Sequence, residues 1–345
     1  MQNVQSFRIT DALRCTLLNA PRGPNLACPR PTVAGSDRPY MQSARLWRNA
    51  VMQPRNRLAV AHWQGARLTG LVSARTRAGH RAWDIDGLYL PAENLTERPC
   101  SYNDNGFPAS DATGHHGLDE AATDSLSLLE ELFQSAGERS AERIFVRLAS
   151  NCPAISLARR SGFVACFSES LLEGAGPGIG NGSASPPKRS NSDDLMRLRL
   201  PADNYGLFQL YCASTPVRVR QMLWLTFDQW LDARDADCSR LAAGRHQEWV
   251  AEHKDRIIGW VKVTGRGGTS EAEVMAHPDR PDLLFELIDF ALARAPRLRW
   301  LVPDYQGPVS DRLAARGFRQ VADFTMLVKM VAVPAVRYGM ATVEA

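Results

Sequence analysis

Residues Ala136–Phe167, AGERSAERIFVRLASNCPAISLARRSGFVACF, decide how the rest of the chain is to be understood. The stretch reads as the end of a helix, a buried strand, a second helix, a Gly-Phe stop and a further strand. Ile144, Val146 and Leu148 share one strand face, and Ile155, Leu157 and Ala158 give the next helix an apolar stripe. Gly162 is expected to end that helix in a conformation with φ > 0. The same succession returns in Ala291–Lys329, with RLRWLVPDY as strand, VSDRLAARGF as helix and Gly-Phe, and RQVADFTMLVK as the returning strand. Aligning Gly162 with Gly317 also aligns Pro153 with Pro308, so the chain reads as two copies of one unit.

Composition agrees with a two-domain globular protein. The chain has 345 residues, 44% of them hydrophobic and 23% charged. Its net charge is +4, carried by 37 arginines and four lysines, and no block of like charge reaches five residues. That pattern argues against a nucleic-acid surface. Seven scattered cysteines without a Cys-x-x-Cys pair imply reduced thiols, with neither a disulfide frame nor a zinc site. With no apolar leader and no membrane-length apolar run, the expected location is cytoplasmic.

From the ends inward, each unit should open with a strand, at 4–10 and 195–203, followed by a helix that Asp11 caps in the first copy. The first unit continues with a Pro/Gly/Asn-rich loop at 21–39, a helix near Met41–Met52, and strands at 57–63, 66–76 and 82–90, the first two turning at Gln64-Gly65. A long polar loop covers 91–118, and Asp119 opens a helix with Leu126, Leu129, Leu132 and Phe133 on its inner face. The first unit is expected to end at 172, and 173–194 reads as a flexible linker whose glycines Gly174, Gly176, Gly178 and Gly180 form no phosphate loop. In the second unit, a short helix NYGLFQLYCAS precedes a single long one from Pro216 to about Arg234. Trp224, Phe227 and Trp230 on it offer a stripe for packing between the units or for a homodimer. Strands QEWVAEH, RIIGWVKVTG and SEAEVMA and the helix PDLLFELIDFALARA complete the unit, which spans 195–333 before a tail at 334–345.

The segment RLASNCPAISLARRSGF resembles the last core motif of the GNAT superfamily, the Gcn5-related N-acetyltransferases. Both copies carry it, so the layout resembles the tandem GNAT proteins of bacteria. The resemblance implies an α/β fold of two GNAT units, each a bent mixed β-sheet flanked by α-helices. It also implies transfer of an acyl group from acetyl-CoA or another acyl-CoA to a small-molecule or peptide amine. The family's Arg/Gln-x-x-Gly-x-Gly/Ala loop, whose amides meet the pyrophosphate at a helix N-terminus, has no clear counterpart here. Ala276-His277-Pro278-Asp279 resembles the family's strand end, yet Arg280-Pro281-Asp282 leads straight into Leu283-Leu284. In the first copy Asp119, Glu120 and Asp124 at the helix start would repel a pyrophosphate.

Several positions remain as candidates by that resemblance. Asn151, eleven residues before Gly162, matches the family's pantetheine-binding Asn, and Gln306 takes its place in the second copy. Either side chain could instead cap the following helix. Tyr89 and Leu90, like Ala276 and His277, stand at the strand ends where the cofactor is met. For a general base, the fourth strands offer Asp84 and Asp86, matched by Glu271 and Glu273, each pair on one face; a solvated strand face is the plainer reading. The family's general-acid Tyr is replaced by Ala158 and Leu313, and Tyr305 lies nearby in another register. Cys100, His115 and His116 lack metal-ligand spacing, so no metal site is expected. Two readings stand: an acyltransferase with degenerate CoA loops, or a catalytically inactive tandem protein that binds, scaffolds or senses a small molecule. The shape of the V-like gap between the fourth and fifth strands of each half should separate them.

Overall fold

The computed structural model describes residues 2–7, 11, 24–33, 56–64, 67–90, 119–176, 196–223, 225–237, 245–266 and 269–332. The expected helix at 41–52, the loop 91–118 with Cys100, His115 and His116, the glycine of the Gln64-Gly65 turn, most of the 173–194 linker, Trp224 and the tail lie outside the described residues.

In chain order the strands are β1 (Gln2–Ser6), β2 (Arg57–Gln64), β3 (Arg67–Ala78), β4 (Ala82–Tyr89), β5 (Arg143–Ala149) and β6 (Val164–Ala175), then β7 (Met196–Leu198), β8 (Arg245–His253), β9 (Arg256–Arg266), β10 (Thr269–Ala276), β11 (Arg297–Pro303) and β12 (Arg319–Met330). The helices are α1 (Arg30–Val33), α2 (Asp119–Gly137), α3 (Ala154–Arg160), α4 (Asn204–Ser214), α5 (Val217–Leu223), α6 (Phe227–Asp237), α7 (Pro281–Leu292) and α8 (Gly307–Ala315). The two halves repeat as read from the sequence, and Gly162 and Gly317 both have positive φ, at 91° and 82°. The first strand lies nearer the N-terminus than expected.

Two elements differ from the sequence reading. The single helix expected from Pro216 is two, because a capping box restarts the chain at Thr226. The Thr226 hydroxyl accepts from the Gln229 N–H at 3.3 Å, and the Gln229 carboxamide oxygen accepts from the Thr226 N–H at 3.2 Å. The other difference concerns the last strand of each copy. The twelve strands among the described residues form one sheet, in the order β1-β2-β3-β4-β5-β12-β6-β11-β10-β9-β8-β7. Antiparallel pairing joins β12 to β5, from Phe324 opposite Ala149 to Met330 opposite Arg143. Equally, β6 pairs with β11, from Ala175 opposite Arg297 to Glu169 opposite Pro303. Each half's fifth strand is thus flanked by the other half's final strand, and β6 runs three residues into the segment read as linker. The cores follow the exchange: Phe324 and Leu327 of β12 are buried in the N-terminal core, and Leu172 of β6 in the C-terminal one.

Helix α2 covers β1–β3, and α7 covers β9 and β10. On the C-terminal half, α4 packs on β9 and β10, while α6 reaches over to β3 of the N-terminal half. Trp230 of α6 is buried among Leu207, Leu210, Val250 and Trp260, with Phe227 packed against them, so these two members of the stripe serve internal packing.

A cleft filled in one half and open in the other

The site grows from the two places where parallel strands part. β4 and β5 pair only over Ala82–Asp84 and Arg143–Phe145, and β10 and β11 only over Ser270–Ala272 and Leu298–Trp300. Beyond those points the facing strand edges carry backbone N–H and C=O groups that need other partners.

In the N-terminal half the chain supplies them itself. Residues Asn25–Cys28 run between the diverging strands. On the β4 side, Leu26 N–H donates to Leu88 O at 2.9 Å, the Asn25 side-chain amide donates to Asp86 O at 2.9 Å, and Leu88 N–H donates to the Asn25 side-chain oxygen at 2.8 Å. On the β5 side, Cys28 N–H donates to Arg147 O at 2.8 Å, and Ala27 bridges to Leu148. Leu26, Ala27 and Cys28 are no more than 5% exposed. Burial pushes the Cys28 thiol up to about 12, so it is held as an unreactive neutral group. Sequence reading missed this plug. The available signal was the apolar Leu26-Ala27-Cys28 inside an otherwise polar, turn-rich loop.

In the C-terminal half no segment among the described residues runs through the corresponding gap. A cavity of about 290 Å³ is bordered by the consecutive residues Glu273–Met275 of β10 and Trp300–Pro303 of β11. Successive strand side chains point to opposite faces, so a void touching all of them passes between the strands. Gln306, at the N-cap of α8 but making no side-chain cap hydrogen bond, borders it, as do Tyr305 and Val309. The void continues to Arg75, Arg77 and Arg147 of the N-terminal half, roofed by Tyr211 of α4 and Trp230 of α6.

The candidate carboxylates are all engaged. Asp84 lies 3.3 Å from Arg77, and Asp86 accepts from the Ser73 hydroxyl at 2.7 Å and lies 3.5 Å from Arg57. Glu271 and Glu273 are both held by Arg30, just past the plug, at 3.1 and 2.8 Å, and Lys262 lies 3.5 Å from Glu273. Burial alone would raise the Glu273 carboxyl, but Arg30 and Lys262 outweigh it and hold the group at about 2. Such a carboxylate is a weak proton acceptor. Removing Arg30 by Arg30→Ala leaves burial opposed by Lys262 alone, so the Glu273 carboxyl should titrate at higher pH, which carbon-detected NMR would follow. The linkage has a definite sign. A depressed folded-state pKa contributes stability above the unfolded glutamate's pKa of about 4.3, lost as pH falls toward the folded value. Acid unfolding should therefore be less steep in Arg30→Ala, over about pH 4 to 2.

The two copies place the remaining candidates differently. Tyr89 and Leu90 stand at the end of β4, beside the plugged gap. Asn151 is exposed ahead of α3, whose N-cap position belongs to Pro153. Ala276 ends β10, and His277 donates its N–H to Ile258 O at 2.8 Å, with its ring near Asp279 at 3.5 Å. Only four residues, His277–Arg280, separate β10 from α7. Ala158 and Leu313, where the family carries its Tyr, are buried apolar residues. Two phenols nevertheless border the cavity. Burial raises Tyr211 to about 12 and Tyr305 above the ordinary tyrosine range, so both are protonated at neutral pH and can donate. The Tyr211 hydroxyl is buried without a hydrogen-bond partner among the described residues. A 3₁₀ turn, Asp304–Gln306, brings Tyr305 there, against Phe167 at 5.7 Å between ring centroids.

Two repeated α/β units, each with a parallel strand pair that splays into a cleft, define the GNAT fold in tandem, and this chain has it. It is similar over 97% of its length to the whole of a tandem GNAT protein from the clavulanic acid biosynthesis pathway, at 11% identity and a TM-score of 0.50. A GCN5-related N-acetyltransferase from Sphaerobacter thermophilus matches 95% of each chain, at 13% identity and a TM-score of 0.52. No family model matches the sequence, and no curated protein does. Among the described residues, no helix is long and apolar enough to cross a membrane.

Proposed function

We propose that the chain is an acyl-CoA-dependent N-acyltransferase whose C-terminal half alone retains the acyl-CoA cleft. The observation that carries this reading is the contrast between the gaps: Asn25–Cys28 satisfies the N-terminal strand edges, whereas the C-terminal gap opens into the cavity bordered by Gln306. The amide-bearing arm of an acyl-CoA suits such a gap, because its donors and acceptors can meet the strand edges as the plug does in the other half. The repeat units, residues 1–172 and 195–333, would then have divided the work, one binding and one supporting. Gln306 is assigned to the amide arm, with Ala276 and His277 at the mouth. Asn151, Tyr89 and Leu90 are left without a cofactor role.

In the reaction, the neutral amine nitrogen bonds to the thioester carbonyl carbon, the carbon–sulfur bond breaks, and the amine gives up one proton as the sulfur gains one. Tyr305, protonated and bordering the cavity beside Gln306, is assigned to donate to the departing thiolate, with burial making it a weaker acid than an exposed phenol. Glu273, held ionised by Arg30 and Lys262, is a poor base, so the acceptor amine is expected to enter already neutral or to lose its proton to water.

Affinity should be modest, since the four-residue connection into α7, with Pro281 at its first turn, offers few amides to a pyrophosphate. Calorimetry with acetyl-CoA is expected to give a micromolar or weaker Kd. Gln306→Ala should weaken it by roughly 5- to 20-fold, the worth of about 1–1.8 kcal/mol for a lost side-chain hydrogen bond. Asn151→Ala should leave it unchanged. Loss of binding on Asn151→Ala alone would place the ligand in the other half and defeat the assignment. A second reading, binding without turnover, is favoured by the pairing of Asp84, Asp86, Glu271 and Glu273 with cations. Acetyl-CoA binding with no thiol release over a panel of amines would select it.

A further inference from the structure

We infer that the part of the cavity beyond the C-terminal cleft is the acceptor pocket, and that it takes a small amine carrying one carboxylate and an apolar or aromatic side chain, that is, a neutral amino acid. The inference rests on the acyl-CoA reading of the cleft for the word acceptor, but not for the ligand's chemistry.

The charge inventory of the walls points to one anion. Arg77 is matched by Asp84 at 3.3 Å, and Arg147 by Glu169 through contacts of 2.5 and 3.3 Å. Arg30 and Lys262 hold Glu273, and Arg234 is paired with Glu248. Arg75, partly buried on β3 and bordering the cavity, has no carboxylate or hydrogen-bond partner among the described residues. Asp84, opposite Arg75 across β3 and β4, is taken by Arg77, so the partly buried Arg75 guanidinium stands ready to meet a ligand carboxylate with two parallel charge-assisted hydrogen bonds. A second carboxylate on the ligand would find every other cation already matched.

The remaining wall sets the rest of the ligand. Trp230, Trp260, Tyr211, Tyr305 and Phe167 border the same space, so an apolar or aromatic side chain is favoured over a polar one. The whole cavity, cleft included, measures about 290 Å³, so the part beyond the cleft is limited to a small molecule and excludes a folded peptide.

The test is a titration of the full-length protein with L-phenylalanine, L-leucine, L-phenylalaninamide and L-glutamate, without coenzyme, read by calorimetry and by the fluorescence of the cavity tryptophans. L-Phenylalanine and L-leucine are expected to bind, and L-phenylalaninamide and L-glutamate at least tenfold more weakly. Arg75→Gln should weaken L-phenylalanine at least tenfold, and Arg75→Lys should recover part of the loss, which guards against a folding artefact. The inference is overturned if phenylalanine and its amide bind equally, if Arg75→Gln binds like the wild type, or if neither neutral amino acid binds. A parallel acetyl-CoA titration of the wild type keeps the two claims apart. Amino-acid binding without coenzyme binding would sink the acyltransferase reading and leave the pocket standing, and the reverse result would sink only the pocket.

Discussion

Phe324→Ala, a substitution near the C-terminus, is expected to destabilise the N-terminal half by about 4 kcal/mol. Phe324 lies on β12, is fully buried, and packs in the core that also holds Trp83, Ile144, Leu148 and Phe163. Its removal leaves a cavity in that core between the neighbouring strands β5 and β6, where Phe324 lies opposite Ala149 and Glu169, and it cannot close without moving the strand pairing on both sides of β12. Chemical denaturation would give the magnitude. Hydrogen exchange would give the location, with β5 amides losing protection before those of β9. A loss confined to β9–β11 would contradict the exchanged topology. The same argument predicts that residues 1–176 expressed alone will not fold stably: β5 would have an open edge along Arg143–Ala149, and β6 would lack both its neighbours, β11 and β12.

Gly176→Ala should cost about 2–3 kcal/mol, at the upper end for overpacking by one methyl group. A Cβ at this position would lie 2.6 Å from Leu292 O, at the end of α7, and 2.7 Å from Ala295 O, in the turn that follows it. Backbone oxygens cannot rotate away as a side chain can, and Gly176 N–H already donates to Pro296 O at 3.0 Å, so the segment cannot retreat without losing that bond. Gly174 is similarly tight against the Phe318 ring, with contacts from 2.5 Å. These glycines let the end of the N-terminal half's last strand lie directly on the C-terminal half. Gly307→Ala is the control: nothing lies within 4 Å of a Cβ there, and the residue is helical, so the variant should be neutral or slightly more stable. Equal losses at 176 and 307 in a thermal melt would show that contact with α7 is not the cause.

Much of the architecture was legible in the chain. The alternation of Ile144, Val146 and Leu148, the stripe of Leu157 and Ala158, and the two Gly-Phe stops depend on local periodicity and backbone sterics, which neighbouring residues record directly. The break at Thr226 was also written locally, as Thr-x-x-Gln, but a continuous apolar pattern across 216–234 concealed it. Of the candidate site, Gln306, Glu273 and Asp84 border one cavity, and Asn151 is not among its lining residues. Arg30, Arg75 and Tyr211 could not be found this way. Each acts through a partner or a void supplied by elements distant in the chain, Arg30 by reaching Glu271 some 241 residues away.

By itself, then, the sequence determined that one α/β unit occurs twice, because a repeat is written in the order and spacing of residues along the chain. Tertiary structure alone decided which copy's last strand lies beside which fifth strand, because β6 and β12 hold equivalent places in the repeat and only the packing of Phe324 and Leu327 in one core and Leu172 in the other tells them apart. It likewise decided which cleft stays open, since a polar loop becomes a plug only when Leu26, Ala27 and Cys28 find two unpaired strand edges at the right separation.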